Sequence, residues 1–409
     1  MRNLRKLSIW ILCIVQVIAL TIFYTHLRTK VVSSAVRRKE SVKFFDSTEN
    51  QTEEKITYYR HQDKITLISV QTRGNYMDFN TSLCYRNGTD LKSMGRSNIN
   101  WQCTCLPGWH GKDCGQPEVV WRALLTYRTA VSINEPRKFQ RRVIHIMRVD
   151  EYSETLTDIE VNELKECVDL FVLYENGSNF LEHRLKNRFL KHIHHKILYL
   201  NLTNSENVIH TVKNVIQNIR DDDIFIMNNL NDILNQKSIM FFKFYNGWPE
   251  PLYFRLKYSV YGFFWLHPSK TVLSKSVCTV RYLFETLNDN PARFRSNKSF
   301  TSLSNRDFIV GDLNYFGGWF CEYCNTPTNI IYHLSIRGTE SSVNWQNVET
   351  IDIPYIENLI ENGIYLDGKT VLTRSHRFND NHFAPSYAIV NSWKYDHLLV
   401  NMFSKLDYY

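Results

Sequence analysis

The sequence predicts an α/β fold on a mostly parallel, Rossmann-type sheet, preceded by a membrane anchor and a small cysteine-rich module. Three observations carry this. An uncharged apolar run occupies residues 7–25. Four cysteines crowd into residues 84–114. From residue 142 onward, short apolar runs alternate with segments whose apolar residues recur at helical spacing, the pattern of a parallel sheet with right-handed crossovers. Composition agrees: 409 residues with 43% hydrophobic and 22% charged side chains make a globular chain.

Residues 1–27 read as a cytosolic tail and signal-anchor helix. Arg2, Arg5 and Lys6 precede the apolar run, whose 19 residues span about 28 Å as a helix, one bilayer core. A cleaved signal peptide has a shorter core of about 7–15 residues, although Ser33-Ser34-Ala35 keeps that alternative open. The flanking charges do not fix orientation, with three basic residues before the run and five after it (Arg28, Lys30, Arg37, Arg38, Lys39). Residues 1–39 hold eight Lys/Arg and no acid, whereas the remainder balances 41 against 41. The net charge of +8 therefore belongs to the N-terminal segment, and a basic nucleic-acid face is excluded.

Residues 28–82 are polar, show no sustained period and read as a stem. The cysteine module occupies 83–117. Of nine cysteines, Cys13 lies in the apolar run and eight remain (Cys84, Cys103, Cys105, Cys114, Cys167, Cys278, Cys321, Cys324), an even number suited to disulfides in an oxidising compartment. The run Cys103-Thr104-Cys105, then Cys114, with Gly108 and Gly111 in the last loop, resembles the C-terminal half of an epidermal-growth-factor-like module. That resemblance implies pairing of Cys84 with Cys103 and of Cys105 with Cys114. The partners of the other four stay open. Cys321-x-x-Cys324 reads as a structural disulfide, with a redox pair or a metal half-site as alternatives. Six sequons (Asn50, Asn80, Asn87, Asn176, Asn201, Asn297) are compatible with a lumenal body.

Residues 118–403 form the body and 404–409 a tail. Strands are predicted at 142–149, 168–174, 196–202 and 223–227, with helices at 158–167 and 206–220. The latter places Val208, Ile209, Val212, Val215, Ile216 and Ile219 on one face. Ligands of parallel sheets bind beyond the carboxyl ends of the strands. That directs attention to Asp150 and Glu151, to Glu175 and Asn176, and to residues 228–232. Asp221, Asp222 and Asp223 precede their strand and read as a turn at the opposite end. His192, His194 and His195 read as a solvated basic patch.

Several stretches together resemble one family, the bisecting N-acetylglucosaminyltransferases (beta-1,4-mannosyl-glycoprotein 4-beta-N-acetylglucosaminyltransferases). They are the Cys-Leu-Pro-Gly-Trp-His-Gly run from Cys105, Arg141-Arg142-Val143-Ile144, the Phe241–Pro251 segment with Trp248-Pro-Glu250-Pro, Tyr261-Gly-Phe-Phe-Trp265, Gly318-Trp-Phe-Cys-Glu-Tyr-Cys324 and Ala384-Pro-Ser-Tyr387. The resemblance covers roughly residues 84–403 and implies a nucleotide-diphospho-sugar transferase (GT-A-like) fold. It also implies a single-pass type II Golgi membrane enzyme that moves GlcNAc from UDP-GlcNAc to the core mannose of N-glycans. Such chemistry commonly holds a divalent metal, manganese, against the diphosphate with carboxylates at a strand end. A carboxylate base and aromatic rings then serve the acceptor sugar.

By that resemblance, the donor and metal motif falls on Asn228, Asn229, Asn231 and Asp232, with Asp232 the surviving carboxylate and catalytic candidate. Glu175 is expected to contact the nucleotide. Trp248, Glu250, Tyr261 and Trp265 are expected to line the acceptor cleft, with the core as the alternative place for the tryptophans. The sequence departs from the family at the motif, where three carboxylates have become carboxamides. It departs also at Glu160, where the family has Arg, and at Tyr315 and Phe320, where it has His. The second reading is therefore a family member that binds glycans or partners without turnover.

Overall fold

The structure, a computed structural model, describes residues 58–79, 81–94, 102–129, 131–133, 135–203, 207–287, 307–337, 351–378, 380 and 382–404, with isolated positions 16 and 21. Contacts divide the chain into Met1–Lys55 and Ile56–Tyr409, and the second unit carries everything below. The anchor expected at 7–25 lies outside the described residues save for those two positions. Among the described residues no helix is long and apolar enough to cross a membrane.

The first half of the body alternates strand and helix, with the helix at Phe180–Lys186 added to the predicted elements: β1 (Val143–Arg148), α1 (Glu154–Leu164), β2 (Leu170–Asn176), α2 (Phe180–Lys186), β3 (Ile197–Leu202), α3 (Val208–Val215) and β4 (Ile224–Ile226). There follow β5 (Asp232–Leu234), α4 (Gln236–Phe244), β6 (Leu252–Val260), β7 (Gly262–Thr279), β8 (Phe308–Val310), β9 (Gly318–Glu322), α5 (Pro327–Arg337) and α6 (Ile353–Asn362). Among the described residues they build an 11-stranded sheet in the order Tyr59–Arg60, β3, β2, β1, β4, β7, β6, β9, β5, with β8 beside β6 and Thr373–Arg374 beside β7. β1 to β4 are mutually parallel; β7 runs against β4 and β6, and β9 runs with β6. The carboxyl ends of β1, β2, β4, β6 and β9 consequently share one end of the sheet.

Strand β1 is nearly all apolar because both its faces are covered. Val143 and Met147 join Phe171 and Leu173 in one core, and Ile144 and Ile146 join Val172 and Leu198 in the other. The apolar stripe of α3 covers the second face through Val208, Ile209, Val212 and Val215. That helix ends at Val215, short of the predicted 220. Ile216 instead bridges to Ile65, whose N–H donates to the Val215 carbonyl at 3.0 Å.

Three expectations are corrected. The predicted stem does not extend to residue 82: Tyr58, Ile65, Leu67 and Tyr76 are buried and Tyr59–Arg60 extends the sheet. Isolated apolar residues suffice there because each drops into a gap between elements already formed. Cys167 and Cys278 are free, buried on opposite faces of the sheet, and cannot pair. His194 belongs to no solvated patch, being buried with Nε2 on the Phe189 carbonyl at 2.7 Å. The remaining six cysteines pair as Cys84–Cys103, Cys105–Cys114 and Cys321–Cys324. The first two pairs staple the small module, which docks on α4 where Asp113 accepts from the Tyr245 hydroxyl at 2.6 Å. Gly115 permits that approach, since a Cβ there would lie 1.7 Å from the Tyr245 oxygen.

At the amino end of the sheet, Arg142 and Asp223 make a buried two-pronged pair, Nε to Oδ1 at 2.8 Å and Nη2 to Oδ2. Arg142 also donates to the carbonyls of Leu67 (3.1 Å) and Asn218 (2.6 Å), tying β1, β4 and the N-terminal segment together. Removing one partner strands a buried charge. Asp223→Ala in the full chain is expected to lower folding stability by about 3–5 kcal/mol, read from urea unfolding. A loss below about 1 kcal/mol, the scale of an exposed pair, would show that water reaches the guanidinium.

Candidate functional site

The shared carboxyl end of β1, β2 and β4 opens into two adjoining cavities. The larger, of about 440 Å³, is lined by Arg148, Asp150, Glu151, Tyr152, Asn176 and Phe180 from the strand ends and by Tyr332 and His333 from α5. Its volume falls in the range of small-molecule sites. The Tyr152 and His333 rings stack at 3.8 Å across its wall. The smaller, of about 170 Å³, is lined by Met147, Thr157, Asn228 and Asn229. Arg148 and Leu230 line both.

Beneath the smaller cavity the polar groups are consumed by one another. Asn228 is buried, its Nδ2 donating to Glu160 Oε1 and to the Asp232 carbonyl at 2.9 Å. Its Oδ1 meets His145 Nε2 at 2.9 Å. Burial pushes the Glu160 carboxyl well above the usual range and lowers the His145 imidazole to about 4, each toward its neutral form. Asp232 is fully buried; its Oδ2 accepts from the Ser274 hydroxyl at 2.5 Å and from the Asn229 N–H at 3.2 Å.

The divalent ion implied by the family resemblance does not fit these residues. Asn228 has neither amide atom to spare, and the Asp232 carboxylate is sealed from the cavity. Asn229 and Asn231 would offer only neutral oxygens to a hard cation. Among the described residues no group of three His, Cys, Asp or Glu side chains could hold a metal.

The other expected site residues are placed as follows. Glu175, one residue before the end of β2, points inward, accepting from Ser178 Oγ (2.6 Å), the Leu181 N–H (2.9 Å) and Tyr199 Oη (2.7 Å). It anchors the turn into α2, and its neighbours Asn176 and Ser178 are the ones that reach the cavity. The four acceptor-cleft candidates offer no open ring face there. Trp248 and Glu250 lie with Asp221 and Asp222 at the amino end of β4, the wrong end of the sheet. Glu250 is spent on the Thr279 N–H and hydroxyl at 3.0 and 2.9 Å. Tyr261 and Trp265 are core, capped on the Ile364 and Ile360 carbonyls. Of the sequons, Asn50, Asn80 and Asn297 lie outside the described residues. Asn87, Asn176 and Asn201 are exposed, and Asn201 Nδ2 already donates to the Ser178 carbonyl at 2.9 Å.

Sequence reasoning missed Glu322. Strand β9 pairs antiparallel with β5, Phe320 opposite Asp232, and the Cys321 N–H donates to the Asn231 carbonyl at 3.0 Å. Glu322 therefore comes next toward Leu230, at the cavity end of the sheet. Its Oε2 accepts from Tyr258 Oη at 2.5 Å and Tyr365 Oη at 2.8 Å, and burial with the adjacent carboxylate raises both phenols. His267 and Phe320 flank Tyr258, and Lys270 lies 5.2 Å over the Tyr365 ring. A half-buried carboxylate among aromatic rings is what a sugar hydroxyl needs from a base. Its one sequence signal was its place between the two cysteines of Cys321-Glu322-Tyr323-Cys324.

Over 342 residues the chain is 30% identical to the beta-1,4-mannosyl-glycoprotein 4-beta-N-acetylglucosaminyltransferase of Homo sapiens, covering 74% of this chain and 63% of that protein. The same-named protein of Rattus norvegicus is 29% identical over 338 residues, 73% of this chain and 62% of the relative. The chain is homologous to these transferases. It spans under two thirds of the length of these curated relatives. No family profile and no solved structure matches it. The mostly parallel sheet, with its cavity at the carboxyl ends, is the arrangement expected of a GT-A-like relative of these transferases.

Asp232 gives the site a pH signature. Burial lifts its carboxyl from near 4 to about 6, so the proton favours the folded state. That stabilisation is complete below about pH 4 and is lost as pH rises through about 6, a change of order 3 kcal/mol for two units. Asp232→Asn keeps the shape without titrating. The stability of this variant relative to the native chain is expected to rise between pH 4 and 7 in urea titrations; a flat difference would mean the carboxylate is solvated.

Proposed function

We propose that the chain is a single-pass type II Golgi glycosyltransferase of N-glycan processing that transfers GlcNAc from UDP-GlcNAc to the β-linked core mannose. The observation that carries this is the open cavity of about 440 Å³ at the carboxyl ends of β1 and β2, where a parallel sheet binds its nucleotide, in a chain homologous to such transferases. The stacked Tyr152 and His333 offer a ring face to the uracil, and Asp150 and Glu151 suit the ribose hydroxyls.

The acceptor enters from the β9 side. Its hydroxyl oxygen attacks the anomeric carbon as the bond from that carbon to the phosphate oxygen breaks. UDP leaves with the bonding electrons, and the hydroxyl proton passes to Glu322, whose Oε2 is steadied by Tyr258 and Tyr365. A second reading, binding without turnover, is favoured by the sealed Asn228–Glu160 contact, because the one carboxylate left in the motif, Asp232, is buried away from the cavity.

The deciding experiment incubates the full chain in detergent with UDP-GlcNAc and a biantennary N-glycan, with and without manganese, and follows product by mass. A bisected glycan is expected; UDP binding without product would establish the second reading. Glu322→Gln is expected to lower turnover by about 10²- to 10⁴-fold while leaving UDP affinity unchanged. Turnover equal to that of the native chain would remove Glu322 from the chemistry.

A further inference from the structure

The two cavities meet at Arg148, and that junction has a meaning for a ligand shaped as nucleoside, diphosphate and sugar. The larger cavity, with its stacked Tyr152 and His333, suits the flat base and the ribose. The smaller, floored by Asn228 and Asn229, takes a group no bigger than a sugar ring. The diphosphate joining them must pass between, and the residues common to both cavities are Arg148 and Leu230. The Arg148 side chain is 49% exposed, and its ion pair, to Asp150, is a loose 3.8 Å. An exposed guanidinium held so weakly gives up little on binding an anion. Its planar fork matches phosphate oxygens in pairs.

We infer that Arg148 takes the place of the divalent metal, so that the site binds a nucleoside diphosphate without a metal ion. This rests on the donor-site reading above and goes beyond it. The residues where the metal is expected cannot serve: three are carboxamides, Asn228 is engaged on both sides, and Asp232 is sealed. A fixed positive charge at the junction does what the ion would do for a departing diphosphate, neutralising the charge that develops on its oxygens. The carboxylates of Asp150 and Glu151 lie on the nucleoside side, where hydroxyls can donate to them.

The test is calorimetry of the full chain with UDP in EDTA and in manganese, repeated with Arg148→Ala, Arg148→Gln and Arg148→Lys. Uridine and inorganic pyrophosphate serve as partial ligands. UDP affinity is expected to agree within about twofold between EDTA and manganese. It should fall by about tenfold or more in the Ala and Gln variants and less in Lys, the cost of a charge-assisted phosphate contact. Uridine binding should not change, and pyrophosphate binding should be lost with UDP. Arg148 is half-exposed, so the variants are expected to melt with the native chain, and the uridine arm shows that the cavity persists. UDP binding that appears only with manganese overturns the inference and leaves the donor-site reading standing. So does native UDP affinity in Arg148→Ala. No binding of UDP or uridine under either condition overturns the donor-site reading itself.

Discussion

The carboxyl end of the sheet is organised by one amide. Asn228 leaves β4 into the interior and must satisfy both a donor and an acceptor there, because a buried amide without partners costs more than most single contacts contribute. Glu160 from α1, His145 from β1 and the Asp232 carbonyl on β5 supply the partners. The same contacts fix the turn that carries Asn229, Leu230 and Asn231 to the cavity rim. In this chain a buried acid, Glu160, and a buried amide, Asn228, bond to one another.

What was legible in the sequence follows from how local the physics is. The strand at residues 143–148 and the helix at 208–215 declare themselves through their own periodicity, since both bury faces against the sheet they help to build. The paired cysteines at 84–114 depend on short loops and are equally local. Glu322 was illegible because its place depends on a register, Phe320 opposite Asp232, set by residues almost ninety positions away in the chain. The burial of Trp248, Tyr261 and Trp265 was illegible for a related reason: aromatic content says that a segment packs, and topology alone says on which end of the sheet. Cys167 and Cys278 show the same limit, since the turn after α1 and the end of β7 deliver them to opposite faces of the sheet. The N-terminal run at 58–78 lacks periodicity because its apolar residues fill separate gaps.

The two halves of the candidate site meet different electrostatic demands. On the acceptor side, Glu322 holds a half-buried position with two phenol donors on its Oε2, which fix the carboxylate in place for the role proposed above. On the donor side, the requirement is only that a diphosphate meet positive charge when its bond breaks. A metal held by carboxylates satisfies it, and so does a guanidinium, which carries its own charge and needs no acidic cage. Once a guanidinium stands at the junction, acids below it lose their purpose and would cost stability by burial without a counter-ion. The amide at 228, the buried position of the three, then relieves that cost while keeping the hydrogen-bonding shape of the turn. The carboxylate that remains, Asp232, is the one with serine and backbone donors already in place.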